Sequence, residues 1–156
     1  RPGLEDEADR FGNEHEVALH VGVSNGDGAA RRYLAFELRR VCTNGVWSPW
    51  EWVNPPMQLG VEYRTTERHN GKPVYKKAVN TGALSAGTSK SVAHGVENIG
   101  LRLSALYGIN NDGDNLVGNP GITGILVGGS NITITTAAGF STSNSWVVIA
   151  YTKTTD

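Results

Sequence analysis

The chain has 156 residues, a formal net charge of −1 and one cysteine, Cys42. A charge so near zero offers no field to recruit nucleic acid or an anionic membrane surface, and one cysteine excludes an intrachain disulfide. No run of about eighteen apolar residues could span a bilayer as a helix, and the 20 glycines, nearly twice the ordinary share, favour short strands and turns over long helices.

Residues 1–15 are polar and acidic, with Glu5, Asp6, Glu7 and Asp9 close together, and read as a solvated linker or a short helix. They lack the apolar stretch of a signal peptide, and a first residue other than Met leads us to expect a piece of a longer chain. From Glu16 the pattern becomes that of strands. Val17, Leu19, Val21 and Val23 alternate with smaller or polar residues, and Ser24 to Gly28 supply a turn. Leu34, Phe36 and Leu38 alternate next. Leu34 and Leu38 are also four apart, as a helix over Arg31 to Arg40 would need, but turn signals at both ends favour a strand. Residues 16–54 are thus expected to form a small β module.

Three of the four tryptophans, Trp47, Trp50 and Trp52, fall within six residues at the end of that module. On an extended backbone Trp50 and Trp52 share one face, and the Ser48-Pro49 break sets Trp47 apart. These rings are expected to pack rather than to bind a ligand. Pro55-Pro56 cannot donate to a ladder and marks the expected boundary. Residues 55–80 then hold that junction and a hairpin turning at Asn70-Gly71, a pair suited to a type I′ turn. Its register puts Tyr63 and Val74 on one face, and Arg64, Arg68, Tyr75 and Lys77 on the other. Neither face is cleanly apolar, so the hairpin is expected to need cover from another chain or the neighbouring domain.

Residues 81–156 form a series of short apolar runs divided by Gly, Ser and Asn. Val92, His94 and Val96 share a face; Ile99, Leu101, Leu103, Ala105 and Tyr107 make the longest alternating set; Ile122, Ile132 with Ile134, and Trp146 to Tyr151 follow. The spacing predicts an antiparallel β-sandwich with loops at 84–90, 108–121, 128–131 and 137–145.

Catalytic constellations are scarce. Glu62 and Glu67 fall on opposite faces of their strand, Asp112 and Asp114 sit in a loop with nothing to separate their pKa values, and no nucleophile elbow, phosphate loop or zinc helix appears. No enzyme activity is expected. The run from Asn110 to Asn115 lacks the ligand spacing of an EF-hand, and His94 between two valines reads as a packed histidine, so neither metal nor cofactor is expected. Tyr107 followed by Asn110, Asp112, Asp114 and Asn115 combines a ring with hydrogen-bonding groups, the composition of a sugar site. Arg64, Arg68, Tyr75 and Lys77 would make an alternative face for an anionic polymer.

The segments Gly45-Val46-Trp47-Ser48-Pro49-Trp50, Trp52-Val53-Asn54-Pro55-Pro56-Met57 and Val61-Glu62-Tyr63-Arg64-Thr65-Thr66-Glu67-Arg68, with Gly71-Lys72-Pro73-Val74-Tyr75, resemble the C-terminal region of bacteriophage and prophage tail-fibre proteins. Residues 16–54 resemble the small knob modules of phage and pyocin fibres. The resemblance implies an all-β homotrimer at the tip of a virion tail fibre, joined to an upstream shaft. It implies non-covalent recognition of a bacterial surface glycan or other envelope receptor, without cofactor, nucleic acid or membrane insertion. The motif-rich middle would then be scaffold, with receptor reading left to loops of the C-terminal head. A purely structural trimerisation and capping module is the alternative.

Overall fold

The structure is a computed structural model that describes residues 14–23, 34–110, 113 and 115–156, with side chains from Phe36 onward. The described residues are all-β, without a helix. They divide into two compact units: residues 1–56 with Arg64–Glu67, and residues 57–63 with 68–156.

Unit 1 is built on a long antiparallel pair, β1 (Glu14–Val23) and β2 (Leu34–Thr43), in register from Glu14↔Thr43 to Val23↔Leu34. The strand reading of residues 34–40 therefore holds over the helix. β1 begins at Glu14, two residues inside the expected linker; residues 1–13 and the Ser24–Gly28 turn lie outside the described residues. Asn44 and Gly45 take positive φ (52° and 77°), reversing the chain so that β3 (Val46–Trp47) pairs back on β2. The type I′ turn matches the twist of its strands. β4 (Glu51–Trp52) then pairs antiparallel with β2 at Leu38↔Trp52 and parallel with β5 (Glu62–His69) at Trp52↔Thr65. The order within this unit is β1-β2-β4-β5, with β3 also on β2.

In unit 2 the order is β5-β6-β11-β8, with β6 at Lys72–Asn80, β8 at Ile99–Asn110 and β11 at Ser145–Lys153. A second sheet has the order β7-β10-β9, from Ser89–Ala93, Asn131–Thr136 and Ile122–Val127. β11 reads SWVVIAYTK, and its residues from Val147 to Thr152 are all buried. A strand covered on both faces needs a continuous apolar run rather than alternation. Both sheets feed one buried cluster: Tyr75, Val79, Val147, Ile149 and Tyr151 from the first, Ile132 and Ile134 from the second, with Leu84 and Leu116 from connections.

The 62–80 hairpin turns at Asn70-Gly71 as predicted, with φ of 50° and 77°. The cover it was expected to need comes from residues 81–156: β6 pairs with β11 and buries Val74, Tyr75, Ala78 and Val79, and Tyr75 and Val79 join the cluster with Val147, Ile149 and Tyr151. A central strand is covered on both sides, which its mixed composition concealed. One expectation needs correction: the set from Ile99 to Tyr107 does not share one inward face. Ile99 and Ala105 pack on the core, whereas Leu101 (51% exposed) and Tyr107 (38%) face outward. The β8–β11 ladder shifts register between Val148 and Ile149, between Ala150 and Tyr151, and between Tyr151 and Lys153. Each irregularity changes the phase of a period-two pattern.

Tyr151 is fully buried, stacks on Tyr75 with ring centroids 6.0 Å apart, and donates its hydroxyl to Glu62, which also pairs with Lys153. Burial first, and then the adjoining Glu62 carboxylate, hold the phenol's pKa well above its usual value of 10.0. The unfolded chain therefore ionises this group at a pH where the folded chain keeps its proton. Its contribution to stability is whole below pH 10 and is lost as pH rises beyond it, at up to about 1.4 kcal/mol per pH unit. Denaturation midpoints on either side of pH 10 should reveal this slope. An equal slope in Tyr151→Phe would assign it to other groups.

Candidate functional site

β8 and β9 are edge strands of their respective sheets, and between them runs a groove of about 550 Å³. Residues 102–105 of β8, 116–118 of the following connection and 122–127 of β9 line it. The connection is shaped by Leu116, which is wholly buried and donates its amide to the Gly108 carbonyl at 2.7 Å. Gly108 permits that approach, since a Cβ there would lie 2.9 Å from the Trp146 carbonyl and 3.2 Å from Leu116 Cδ1. Asn119 Oδ1 then accepts from the Gly121 amide at 2.8 Å, and Phe140 packs so close over Gly121 that a Cβ would meet its ring. These contacts hold the rim of the groove in a fixed backbone path.

The lining mixes exposed polar groups, the Arg102 guanidinium and the Ser104 and Thr123 hydroxyls, with apolar Leu103, Ile125 and Leu126, the last 67% exposed. Apolar surface beside a few directed donors and acceptors, in a volume of this size, suits a sugar or another small polar ligand. Composition alone did not point to this groove. Arg102 and Ser104 alternate with the apolar residues of β8 and so read as an ordinary solvated face; only the placement of β9 beside them makes that face the wall of a groove.

The sequence-predicted site residues fare differently. Tyr107 is exposed on β8, opposite Val148, but does not line the groove. Asn110 is buried in β8 opposite Ser145, and its carbonyl accepts from the Gly113 amide, so its place is in the ladder rather than against a ligand. Asn115 is exposed and bridges to Ile109. Asp112 and Asp114 lie outside the described residues. The loop expected at 108–121 nonetheless contributes to the core, since Leu116 is wholly buried in the central cluster.

The alternative anionic face is divided. Arg64, in unit 1, pairs through Nε with Glu51 at 3.0 Å. In unit 2, Lys77 donates to the Gly95 carbonyl at 2.9 Å, and Tyr75 is buried with its hydroxyl donating to Asp156, so its ring has no free face for stacking. Arg68 is exposed and also has an interaction partner. His94 is buried, its Nδ1 accepting from the Val96 amide at 3.1 Å and its Nε2 placed 3.4 Å from the Gly128 carbonyl. Both nitrogens are turned to backbone groups. Among the described residues no three His, Cys, Asp or Glu side chains are grouped to hold a metal ion.

The tryptophans form an aromatic face in unit 1, and all three are partly buried. Trp52 meets Phe36 edge to face at 6.3 Å. Trp47 is not set apart, because its pairing opposite Cys42 brings its ring to the Arg40 guanidinium, 4.3 Å from the centroid, and Trp50 meets the same group at 4.7 Å. Such contacts contribute about 0.5–2 kcal/mol each, according to how far the cation is desolvated. Arg40 Nε is buried with no hydrogen-bond partner.

Compared with protein-family models, curated proteins and solved structures, the chain gives no match in any of the three.

Proposed function

We propose that this chain is the receptor-binding tip of a phage or prophage tail fibre: a small knob-like β module and hairpin followed by a β-sandwich head, assembled as a homotrimer on an upstream shaft. It would bind a bacterial surface glycan or related envelope receptor without catalysis. The observation that carries the reading is the β8–β9 groove, where Arg102, Ser104 and Thr123 stand beside exposed leucine. The tail-fibre resemblance between Gly45 and Tyr75 gives it a biological setting.

Exposed Leu101, Leu106 and Leu126 favour a second reading, in which the same region is a contact between copies and the chain only trimerises and caps its fibre. One substitution separates the two. Leu126→Asp changes an exposed side chain and should leave the melting temperature almost unchanged. If the groove reads a receptor, light scattering still gives a trimer while adsorption to host cells falls by about tenfold or more. Dissociation into monomers with the fold intact would favour the structural reading, and undiminished adsorption by the intact trimer would remove the groove from the site.

A further inference from the structure

The Arg40 cluster in unit 1 plays no part in the β8–β9 groove, and its chemistry is unusual for packing alone. The guanidinium has two indole rings against it, its Nε is buried without a partner, and among the described residues no side chain forms an ion pair with it. Its neighbour Arg39, by contrast, pairs with Glu37 at 2.6 Å. A purely apolar contact between two indoles would be served by leucine or methionine, which would leave no orphaned donor. A planar cation held by aromatic rings, with no carboxylate among the described residues paired to it, is a prepared receptor for a planar anion. The rings limit the rotamers of the long side chain, so little ordering remains to be done on binding. They also set apolar surface next to the fork, where a pyranose ring has its C–H groups.

We propose that Arg40, Trp47 and Trp50 form a second glycan contact, one that takes the carboxylate of an acidic sugar such as a uronic acid unit in an envelope polysaccharide. The Nη groups of Arg40 donate to the carboxylate oxygens, and the indoles pack on the sugar ring. A carboxylate is favoured over a phosphodiester because it is planar and answers the fork in two parallel hydrogen bonds. This inference rests on the reading of the chain as glycan-binding and adds to it the class of sugar.

The test titrates the full chain with trigalacturonate, with neutral galactotriose and with polyglycerol phosphate, following tryptophan fluorescence and binding heat at low salt. Trigalacturonate should saturate and perturb the indole emission, with the other two at least about tenfold weaker. Arg40→Gln should weaken trigalacturonate by about tenfold or more, and Arg40→Lys, which keeps the charge but loses the fork, by at least about fivefold. Melting curves and near-ultraviolet spectra establish that each variant is folded, and the lysine variant retains a stacked cation should glutamine disturb the module. Equal binding of galactotriose, an equal or stronger response to polyglycerol phosphate, or unchanged affinity in both variants would overturn the proposal. So would a change of oligomeric state in Arg40→Gln without loss of sugar binding, which would assign the rings to a contact between copies. Adsorption to host cells is read separately: if wild-type chain adsorbs but ignores trigalacturonate, this inference fails while the receptor-binding reading stands. If it binds trigalacturonate but adsorbs to no host, the reverse holds.

Discussion

Replacing Leu116 with alanine is expected to lower the stability of unit 2 by about 3 kcal/mol, within the range for truncating a fully buried leucine. Leu116 has no exposed surface and belongs to the central cluster with Ile132, Ile134 and Val147. Its surroundings are poorly placed to collapse into the space. Gly108 has no side chain to offer, and the strand on its other side is tied into the β8–β11 ladder. The same residue pins the connection that lines the groove, so ligand affinity should fall together with stability. Chemical denaturation is the measurement: a lower midpoint at an unchanged slope is expected, and a loss under about 1 kcal/mol would mean that the segment is not anchored here.

Arg64→Ala is expected to cost unit 1 about 3 kcal/mol, the lower end for breaking a buried ion pair from one side. Glu51 keeps only 8% of its side chain exposed and accepts from Arg64 Nε at 3.0 Å, beside the Trp52↔Thr65 bridge that joins β4 to β5. Removing the guanidinium leaves a desolvated carboxylate with part of its hydrogen bonding gone. Removing both charges, as Glu51→Leu with Arg64→Leu, should therefore be less damaging than the single alanine change. If Arg64 instead served a ligand, the single substitution would leave the melting curve alone and reduce affinity only.

Local signals were legible in the sequence where the chain's own chemistry decides the outcome. Asn44-Gly45 and Asn70-Gly71 turn where two residues of positive φ are needed, and the alternation at Leu34, Phe36 and Leu38 does belong to a strand. What was not legible depends on which strands become neighbours. Nothing between residues 61 and 80 announces that β6 will lie between two other strands, so the burial of Tyr75 and Val79 came as a property of topology. Likewise, Leu116 is a single apolar residue in a polar stretch, and only the close approach allowed by Gly108 takes it inside. The groove was hidden for a related reason: it exists only where β8 and β9, edge strands of two different sheets, come alongside each other, and the irregularities of the β8–β11 ladder likewise expose Leu101 and Tyr107 where unbroken alternation would have buried them. Trp47 shows the same limit at short range, since the β2–β3 pairing, rather than the Ser48-Pro49 break, determines which side chain its ring meets.

The most direct test of the receptor-binding account is a titration of the purified, assembled chain against a panel of bacterial envelope polysaccharides, with light scattering on the same samples. The account predicts a trimer that binds at least one of these glycans saturably, and an assembled Leu126→Asp trimer that binds it about tenfold more weakly. A folded trimer that binds none of them, or a chain that remains a monomer at micromolar concentration, would contradict it.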